Sequence, residues 1–274
     1  MLKKIIALTL AILMVAACLT ACGGEKEATG TKIAVQKGTT SLMYAQVLKG
    51  TQTVSYDTFA LAANDMKNGN ADYVFVDKTT AKALCKEISG IKMIDIALSS
   101  ENYGIGIDPN QADLKTKIDT ILTEKAAEID AIKDKYMNGD EANYVGVTSA
   151  TKDVSRAAEQ RVVATNAEFA PWEYKEGNQY FGIDMEIAQL LATELNMELV
   201  IDDMDFDMVV GAVGKQSVDI AMSGITITAE RMNVINFSIP YYTEAIVAVC
   251  KADDTSLDSV GTVVDMLNVI CAAN

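Results

Sequence analysis

Apolar and polar positions between residues 31 and 98 change their period several times along the chain. Short apolar and β-branched runs, such as "KIAVQ" and "ADYVFVD", alternate with stretches at helical spacing, such as "TFALAANDMKNGN" and "KTTAKALCKEI". Continuous apolar strands are typical of parallel sheets that are buried on both faces. The pattern predicts an α/β unit over residues 31–98, with Ser41 as the N-cap of its first helix.

Residues 99–138 continue with a strand and a long helix. "NYGIGID" predicts the strand, and the spacing of Ile and Leu predicts one helix from about Gln111 to Met137. Residues 139–160 are polar and show no clear period, which predicts a linker.

The α/β alternation restarts over residues 161–252, and residues 253–274 form a tail on this interpretation. "MKNGNADYVFVD" and "VGKQSVDIAMSG" both read as a helix, a polar turn, an aspartate and a strand, so the chain predicts two similar lobes. Ligands of open α/β sheets bind at the carboxyl ends of strands. The polar residues near positions 39, 77, 166 and 224 follow predicted strands, and they are therefore the first candidates for a binding site.

The composition narrows the range of functions. Half of the 274 residues are apolar, the formal net charge is -15, and histidine is absent. Such an acidic chain argues against a nucleic-acid partner, and the lack of histidine removes the commonest general base near neutral pH and the commonest zinc ligand. "DMDFD" has the alternation of a calcium loop, but Met208 stands where the loop needs glycine and Gly214 where it needs glutamate. We expect no metal and no cofactor.

The N-terminal segment predicts export. Lys3 and Lys4 precede an apolar run that is short for a membrane span, which is the pattern of a secretory signal. "LTAC" at residues 19–22 resembles the lipobox of bacterial lipoproteins. We expect residues 1–21 to be a lipoprotein signal peptide, Cys22 to be lipidated and to attach the protein to the membrane surface, and residues 22–30 to be a tether. An ordinary signal peptide with an incidental cysteine is the alternative.

Several segments together resemble a known family. They are "AVQKGTTS", "ADYVFVD", "YGIGI", "ATNAEFAPWEY", "YFGIDMEIAQLLA", "VDIAMSGITITAER" and "NFSIPYY". They resemble the polar amino-acid family of extracellular solute-binding proteins, which deliver substrate to ABC importers. The resemblance covers most of residues 31–252 and implies a two-lobed periplasmic-binding-protein clamp of type II. It also implies that an L-amino acid is held between the lobes and presented to permease subunits.

The chemistry of a free amino acid matches candidate residues in both lobes. A carboxylate needs a bidentate cation with oriented N–H and O–H donors, and an ammonium group needs an anion. Arg231, Gly224 and Thr226 are the candidates for the carboxylate, and Asp77 is the candidate for the ammonium group. The remaining predicted ligand-binding residues are two threonines before a helix start, three aromatic residues as apolar walls and two polar residues: Thr39, Thr40, Phe169, Trp172, Phe206, Asn166 and Glu168.

Most of these residues have a simpler structural alternative. Arg231 on its own is a surface arginine, and Thr228 is the expected N-cap of the turn that follows it. Asp77 could cap the helix "KTTAKAL", and Phe169 and Trp172 could be core aromatics.

The order of the segments differs from that of the family. There, the "SGITIT" lobe comes first, the chain crosses to the "KGTT" lobe, and it returns through "YGIGI". Here the "KGTT" lobe comes first and the "SGITIT" lobe last. A circular permutation, with residues 139–160 joining the family's old ends, and a truncated tandem duplication both explain this order. A permuted clamp would have only the segment near residues 99–104 to tie the lobes, because one of its two covalent crossings is missing.

Three functions remain open at this point. The first is a lipid-anchored amino-acid-binding protein of an importer on the outer face of a bacterial membrane. The second is an enzyme similar to the periplasmic dehydratases of the same fold, with Glu168 or Glu173 as a catalytic carboxylate. The third is a lipoprotein that has lost ligand binding.

Overall fold

The computed structural model describes residues 30–215 and 218–272, so the predicted signal peptide, Cys22 and nearly all of the tether lie outside the described residues. The described chain forms two compact units. One comprises the described residues up to Ser100 together with those from Ala245 onward, and we call it the Thr39 unit. The other comprises Glu101–Glu244, and we call it the Arg231 unit.

The elements follow one another in alternation. The chain begins with β1 (Thr31–Gln36), α1 (Thr40–Gln46), β2 (Thr51–Tyr56), α2 (Phe59–Lys67), β3 (Tyr73–Asp77), α3 (Lys78–Glu87) and β4 (Ile91–Ile94). The Arg231 unit contains β5 (Glu101–Tyr103), β6 (Gly106–Ile107), α4 (Ala112–Glu124), α5 (Ala126–Asn138), β7 (Gln160–Thr165), β8 (Glu168–Phe169), β9 (Glu173–Glu176), β10 (Gln179–Phe181), α6 (Ile183–Glu194), β11 (Glu198–Asp203), α7 (Phe206–Ala212), β12 (Ile220–Ala221), β13 (Asn236–Phe237) and β14 (Tyr242–Glu244). The chain then returns to the Thr39 unit with β15 (Ile246–Lys251) and α8 (Val263–Ala272).

Each unit has a mostly parallel sheet, as the pattern of apolar runs predicted. The sheet of the Thr39 unit has the order β2-β1-β3-β15-β4, in which β1, β2 and β3 are parallel and β15 is antiparallel to both neighbours. The sheet of the Arg231 unit has the order β11-β7-β12-β6-β13, in which β6 is the antiparallel strand. Strands β1, β3 and β7 are almost wholly buried, which is the environment that their apolar runs require. The α/β class is confirmed.

The boundary at the end of the second lobe differs from the prediction. The sequence indicated one unit over residues 161–252 and a tail over 253–274, but β15 is a strand of the Thr39 sheet. Helix α8 buries Met266, Leu267 and Ile270 in the same core. These apolar residues stabilise the unit that they contact in space, and the sequence pattern does not say which unit that is. The chain therefore passes between the units at Ser100 and again at Glu244, so the expectation of a single tie was wrong.

The end of α8 lies against the start of β1. The Thr31 hydroxyl donates a 2.6 Å hydrogen bond to the carbonyl oxygen of Ile270. A Cβ atom added to Gly50, beside β2, would lie 3.0 Å from the carbonyl oxygen of Cys271. The first and last described elements of the Thr39 unit are therefore neighbours in its core.

The predicted long helix is two helices. Helix α4 ends at Glu124 and α5 begins at Ala126, because Lys125 has φ -98° and ψ 16°, outside the helical region. Neither glycine nor proline marks the bend. Both helices bury an apolar face, which includes Ile118 in α4 and Ile132 in α5, and the bend lets each pack separately.

The predicted linker packs on the Arg231 unit. Val147 and Tyr180 exchange two backbone hydrogen bonds of 2.7 and 2.9 Å, and the Ser149 hydroxyl accepts a 2.8 Å hydrogen bond from the Ile201 N–H. Residues 139–160 thus follow the surface of one unit. Across the described chain, no helix combines the length and the apolar character needed to cross a bilayer.

Candidate functional site

Arg231 and Phe206 form the most ligand-like grouping of the Arg231 unit. Arg231 is half-buried, and its Nη1 donates a 2.9 Å hydrogen bond to the Thr226 carbonyl oxygen. Its guanidinium carbon lies 5.7 Å from the centre of the Phe206 ring, in cation–π geometry. The Arg231 N–H donates to the Thr228 hydroxyl at 3.1 Å, which is the capping role predicted for Thr228. One carbonyl and one ring thus orient the guanidinium while part of it stays accessible.

The backbone conformation at position 224 and the side chains around it both require glycine there. Its φ is +52°, in the left-handed region that favours glycine. A Cβ atom at this position would lie 2.7 Å from Cε1 of Phe169 and 3.2 Å from Cε2 of Tyr103. The structure therefore brings Phe169 and Gly224 together, with Phe169 buried over the glycine.

Thr226 is held by the strand at the unit boundary. It is buried, and its hydroxyl donates a 2.7 Å hydrogen bond to Oε2 of Glu101 in β5. Strand β5 pairs antiparallel with β14, so both segments at which the chain leaves the unit are joined by a sheet. The hydroxyl hydrogen of Thr226 is used within the protein, so this hydroxyl can only accept from a ligand, which differs from the donor role toward a carboxylate that the sequence predicted.

Asn166 and Glu168 have different surroundings. Asn166 is buried, and its Nδ2 donates to the Met204 carbonyl oxygen at 3.0 Å while its N–H donates to the Ser223 hydroxyl at 3.2 Å. It therefore ties the end of β7 to the segments that follow β11 and β12. Glu168 is exposed at the start of β8, where a ligand could contact it.

Trp172 belongs to the core. It is fully buried, and its ring packs edge-on against Tyr242 at 4.7 Å and against Tyr103 at 4.9 Å. The structure therefore supports the core alternative for Trp172 and not an accessible wall of a binding site.

The threonines of the Thr39 unit also have structural roles. The Thr39 hydroxyl accepts a 3.2 Å hydrogen bond from the Leu42 N–H and donates a 2.7 Å hydrogen bond to the Gln36 carbonyl oxygen. Thr39 is thus the N-cap of α1, and the prediction that Ser41 caps this helix was wrong, because Ser41 lies inside the first turn and is buried. Thr40 is the first residue of the helix and is half-buried.

Asp77 is not explained by helix capping. It is buried at the end of β3 and occupies the N-cap position of α3, yet its side chain makes no capping hydrogen bond. The neighbouring Lys78 N–H donates to the Ala245 carbonyl oxygen at 2.8 Å, so β15 fixes the backbone here. The carboxylate retained at this strand end is the feature that an ammonium-binding site requires.

The sequence analysis did not predict the buried polar residues that are hydrogen-bonded to Ser223 and Gly224. The Gly224 N–H donates a 2.9 Å hydrogen bond to Oδ2 of Asp184, and the Tyr241 hydroxyl donates a 2.7 Å hydrogen bond to Oδ1 of the same residue. The Ser223 hydroxyl donates to Oε1 of Glu173 at 2.6 Å. Glu173 and Asp184 are fully buried, so Glu173 is not exposed to a substrate. Other polar residues stand close to both in the chain, such as Lys175 and Glu186, so neither carboxylate is marked by its sequence neighbours.

A cavity of about 480 Å³ lies elsewhere in the Arg231 unit. It is lined by the start of α4 and by Arg161, which stands at the beginning of β7. Asn166 follows the other end of that strand, and none of the predicted ligand-binding residues lines the cavity. The candidate site is thus at the carboxyl ends of the strands, where open α/β sheets bind ligands.

Comparison with known proteins agrees with the resemblance. Residues 162–269 match the family model of bacterial extracellular solute-binding proteins, family 3. The match begins in β7, passes through the Gly224–Arg231 segment, and continues across the unit boundary into α8. This segment is similar to amino-acid-binding extracellular proteins, as the motifs predicted.

Individual relatives match over a limited part of their length. The chain is 39% identical to the arginine-binding extracellular protein ArtP of Bacillus subtilis over 34% of this chain and 36% of the relative. It is also 39% identical to the cyclohexadienyl dehydratase of Pseudomonas aeruginosa over 29% of this chain and 30% of that enzyme. A solved structure of the substrate-binding protein AbpA from Streptococcus pneumoniae bound to L-arginine is 43% identical over 32% of this chain and 38% of that chain, with a TM-score of 0.30. The aligned parts thus span about a third of the curated relatives.

Proposed function

We propose that this chain is an extracytoplasmic solute-binding protein that binds a free L-amino acid and delivers it to an ABC-type importer. The observation that carries the proposal is the half-buried guanidinium of Arg231, oriented by the Thr226 carbonyl and the Phe206 ring within the family-matched segment. A planar guanidinium binds a carboxylate through two parallel hydrogen bonds. Arg231 is the proposed partner of the amino-acid carboxylate.

Asp77 is the proposed partner of the ammonium group. Its carboxylate is buried at a strand end and does not cap α3. A carboxylate at this position offers the negative charge and the hydrogen-bond acceptors that a ligand ammonium group needs.

The altered segment order supports a circular permutation. The family match runs without interruption from β7 through β15 into α8. The end of α8 contacts the start of β1, so joining these two elements restores the family's order without moving either one. A truncated tandem duplication gives no reason for this contact.

Attachment to the outer face of the membrane is part of the same proposal. The segment "LTAC" with Cys22 supports lipidation, and an acylated cysteine keeps a binding protein close to its permease. Mass-spectrometric analysis of the mature N-terminus checks this directly. A cleaved chain that begins at an unmodified residue contradicts the anchor and leaves amino-acid binding untouched.

The central experiment is a ligand titration. The full-length protein in mild detergent is titrated with each L-amino acid, arginine first because the matched relatives are named as arginine-binding, while the melting temperature is followed. A ligand at about 100 times its Kd stabilises the folded protein by about 2.7 kcal/mol. We expect a saturable rise that Arg231→Ala and Asp77→Ala abolish. A folded protein that ignores the whole panel contradicts the proposal and favours a lipoprotein that has lost binding.

The match to a cyclohexadienyl dehydratase makes an enzyme the second candidate. Of the two carboxylates considered from the sequence, Glu173 is fully buried and bound to Ser223, so only the exposed Glu168 could contact a substrate. Incubation with prephenate and detection of the dehydrated product tests this. Turnover that Glu168→Gln removes would replace the binding-protein assignment.

A further inference from the structure

Two fully buried carboxyl groups face each other behind Gly224. Glu173 lies in β9 and Asp184 in the first turn of α6. Both oxygens of Asp184 accept hydrogen bonds, one from the Gly224 N–H and one from the Tyr241 hydroxyl. Oε1 of Glu173 accepts from the Ser223 hydroxyl, whereas Oε2 receives no hydrogen bond from the donors of the described residues. The Asp184 carboxylate acts on Glu173 as a hydrogen-bond partner, and only a protonated Glu173 can donate to it.

The electrostatics place one proton on the pair. Burial raises the pKa of Glu173 well above its usual range, and the negative charge of Asp184 raises it further. Burial also raises the pKa of Asp184, to about 6, against the opposing effect of the hydrogen bonds from Gly224, Tyr241 and Glu173. Among the described residues, the charged and titratable groups that act on the pair are Tyr241 and Asp203, with no lysine or arginine. Asp184 is therefore the anion near neutral pH, and Glu173 is the proton donor.

We propose that Glu173 and Asp184 share one buried proton and that this pair positions Gly224, so that ligand binding depends on protonation of a group that the ligand does not touch. The proposal rests on the proposed function of the Gly224–Arg231 segment. Glu173 and Asp184 are positioning residues, because they act through the backbone of Ser223 and Gly224.

The hydrogen bonds explain how the pair acts on the candidate site. Asp184 joins the Gly224 N–H to Tyr241, which directly precedes β14. Thr226, two residues after Gly224, is joined to Glu101 of β5. The carboxyl pair therefore holds the segment at one end while β5 holds it at the other. Loss of the shared proton leaves two buried anions beside Gly224, and their repulsion is relieved only by moving the segment or admitting water.

The direction of the pH dependence follows from the two raised pKa values. A carboxyl group whose pKa is higher in the folded than in the unfolded protein contributes stability in acid and loses that contribution as the pH rises. For Asp184 the loss is complete above about pH 6, and for Glu173 it extends to higher pH. The pair therefore makes the protein less stable, and its binding weaker, as the solution becomes alkaline.

Two isosteric variants of the full-length protein test the location of the proton. In Glu173→Gln, the amide donates to Asp184 and the carbonyl accepts from Ser223, without a proton to lose. We expect a melting temperature within about 2 °C of the wild type near pH 6, and a smaller decline between about pH 6 and pH 9 than the wild type shows. In Asp184→Asn, the amide oxygen can accept from the Gly224 N–H, but the NH₂ group then faces the Tyr241 hydroxyl, which loses its acceptor, and the negative charge of the pair is lost. We expect a fall of about 5 to 10 °C at every pH and an affinity loss of at least about tenfold.

The matched control is Glu176→Gln, an exposed glutamate of the same strand. It should leave both the melting temperature and its pH dependence unchanged. The proposal is overturned if Glu173→Gln retains the full wild-type pH dependence, or if Glu173→Gln and Asp184→Asn destabilise the protein equally.

Carbon-13 NMR of labelled glutamate carboxyl groups measures the proton directly. The Glu173 signal is identified by its absence in Glu173→Gln, and we expect it at the position of a protonated acid at about pH 7. A signal of an ionised carboxylate at that pH overturns the shared proton.

The melting and NMR measurements need no ligand, so they remain decisive if no amino acid binds and the proposed function fails. If an amino acid binds the wild type and Asp184→Asn with equal affinity, the positioning role is overturned while the proposed function stands.

Discussion

The main sheets of the two units have the same order of parallel and antiparallel strands, but corresponding strands differ in length. In each, three parallel strands are followed by one antiparallel strand and an edge strand. The antiparallel strand comes soon after the chain enters the unit, and it is the six-residue β15 in the Thr39 unit and the two-residue β6 in the Arg231 unit. The Arg231 unit adds the meander β8-β9-β10, which the Thr39 unit lacks in the described residues.

This difference places polar residues differently at the strand ends. Strand β15 runs along most of β3 and leaves the Asp77 carboxylate at the end of a closed apolar core. The two-residue β6 covers less of its neighbouring strands, and the β8-β9-β10 meander packs Glu173 behind Gly224. One unit thus offers a single buried carboxylate, whereas the other orients its arginine segment through a buried hydrogen-bond network. Four substitutions test this contrast, from the largest expected effect to the smallest.

Met266→Ala tests whether α8 is part of the Thr39 core. Met266 is fully buried in that core, so truncation should lower the free energy of unfolding by about 2 to 5 kcal/mol. Val264 on the same helix is 55% exposed, and Val264→Ala should change it by less than about 0.5 kcal/mol. Urea denaturation followed by circular dichroism measures both. Equal effects would show that residues 263–272 are a dispensable tail.

Arg231→Ala tests the carboxylate partner. We expect an amino-acid affinity at least about 100-fold lower, because a charged bidentate hydrogen bond is lost, with little change in melting temperature in the absence of ligand. Arg156→Ala is the matched control, since Arg156 is partly exposed and pairs with Glu159 and Glu198. Calorimetric titration measures both affinities, and similar losses in the two variants would contradict a specific role for Arg231.

Asp77→Asn tests the ammonium partner. Asparagine keeps the size of aspartate but not its charge, so we expect affinity to fall about tenfold while the fold is retained. The control is Asp72→Asn, because the exposed Asp72 carboxylate accepts a backbone hydrogen bond from the Lys32 N–H at 2.8 Å. An unchanged affinity in Asp77→Asn would assign Asp77 to the structure of the unit alone.

Thr39→Ala tests whether a predicted ligand residue acts only as a cap. Loss of the cap should lower the free energy of unfolding by about 1 kcal/mol and leave affinity nearly unchanged. Thr58→Ala is matched, because Thr58 caps α2 by accepting a 3.1 Å hydrogen bond from the Leu61 N–H. If Thr39→Ala weakens binding and Thr58→Ala does not, Thr39 contacts the ligand as the sequence predicted.

Local patterns were sufficient for much of the fold and part of the candidate site. The apolar period located the strands of both sheets, because burial on two faces demands continuous apolar runs. Arg231, Thr226 and Thr228 are close in the chain, and the structure joins them by hydrogen bonds. The five aromatic and polar assignments were less uniform, since Trp172 is a residue type that often lines binding sites but lies in the core.

The sequence by itself determined where apolar surface must be covered and which residues are candidates for binding an amino acid, because both depend on side-chain type and local spacing. Only the tertiary structure decided which core receives β15 and α8, since an apolar strand packs equally well in either sheet until its neighbours are known. The tertiary structure also decided the pairing of Glu173 with Asp184. They become a pair with a shared proton only when α6 and β9 remove both carboxyl groups from water and place them behind Gly224.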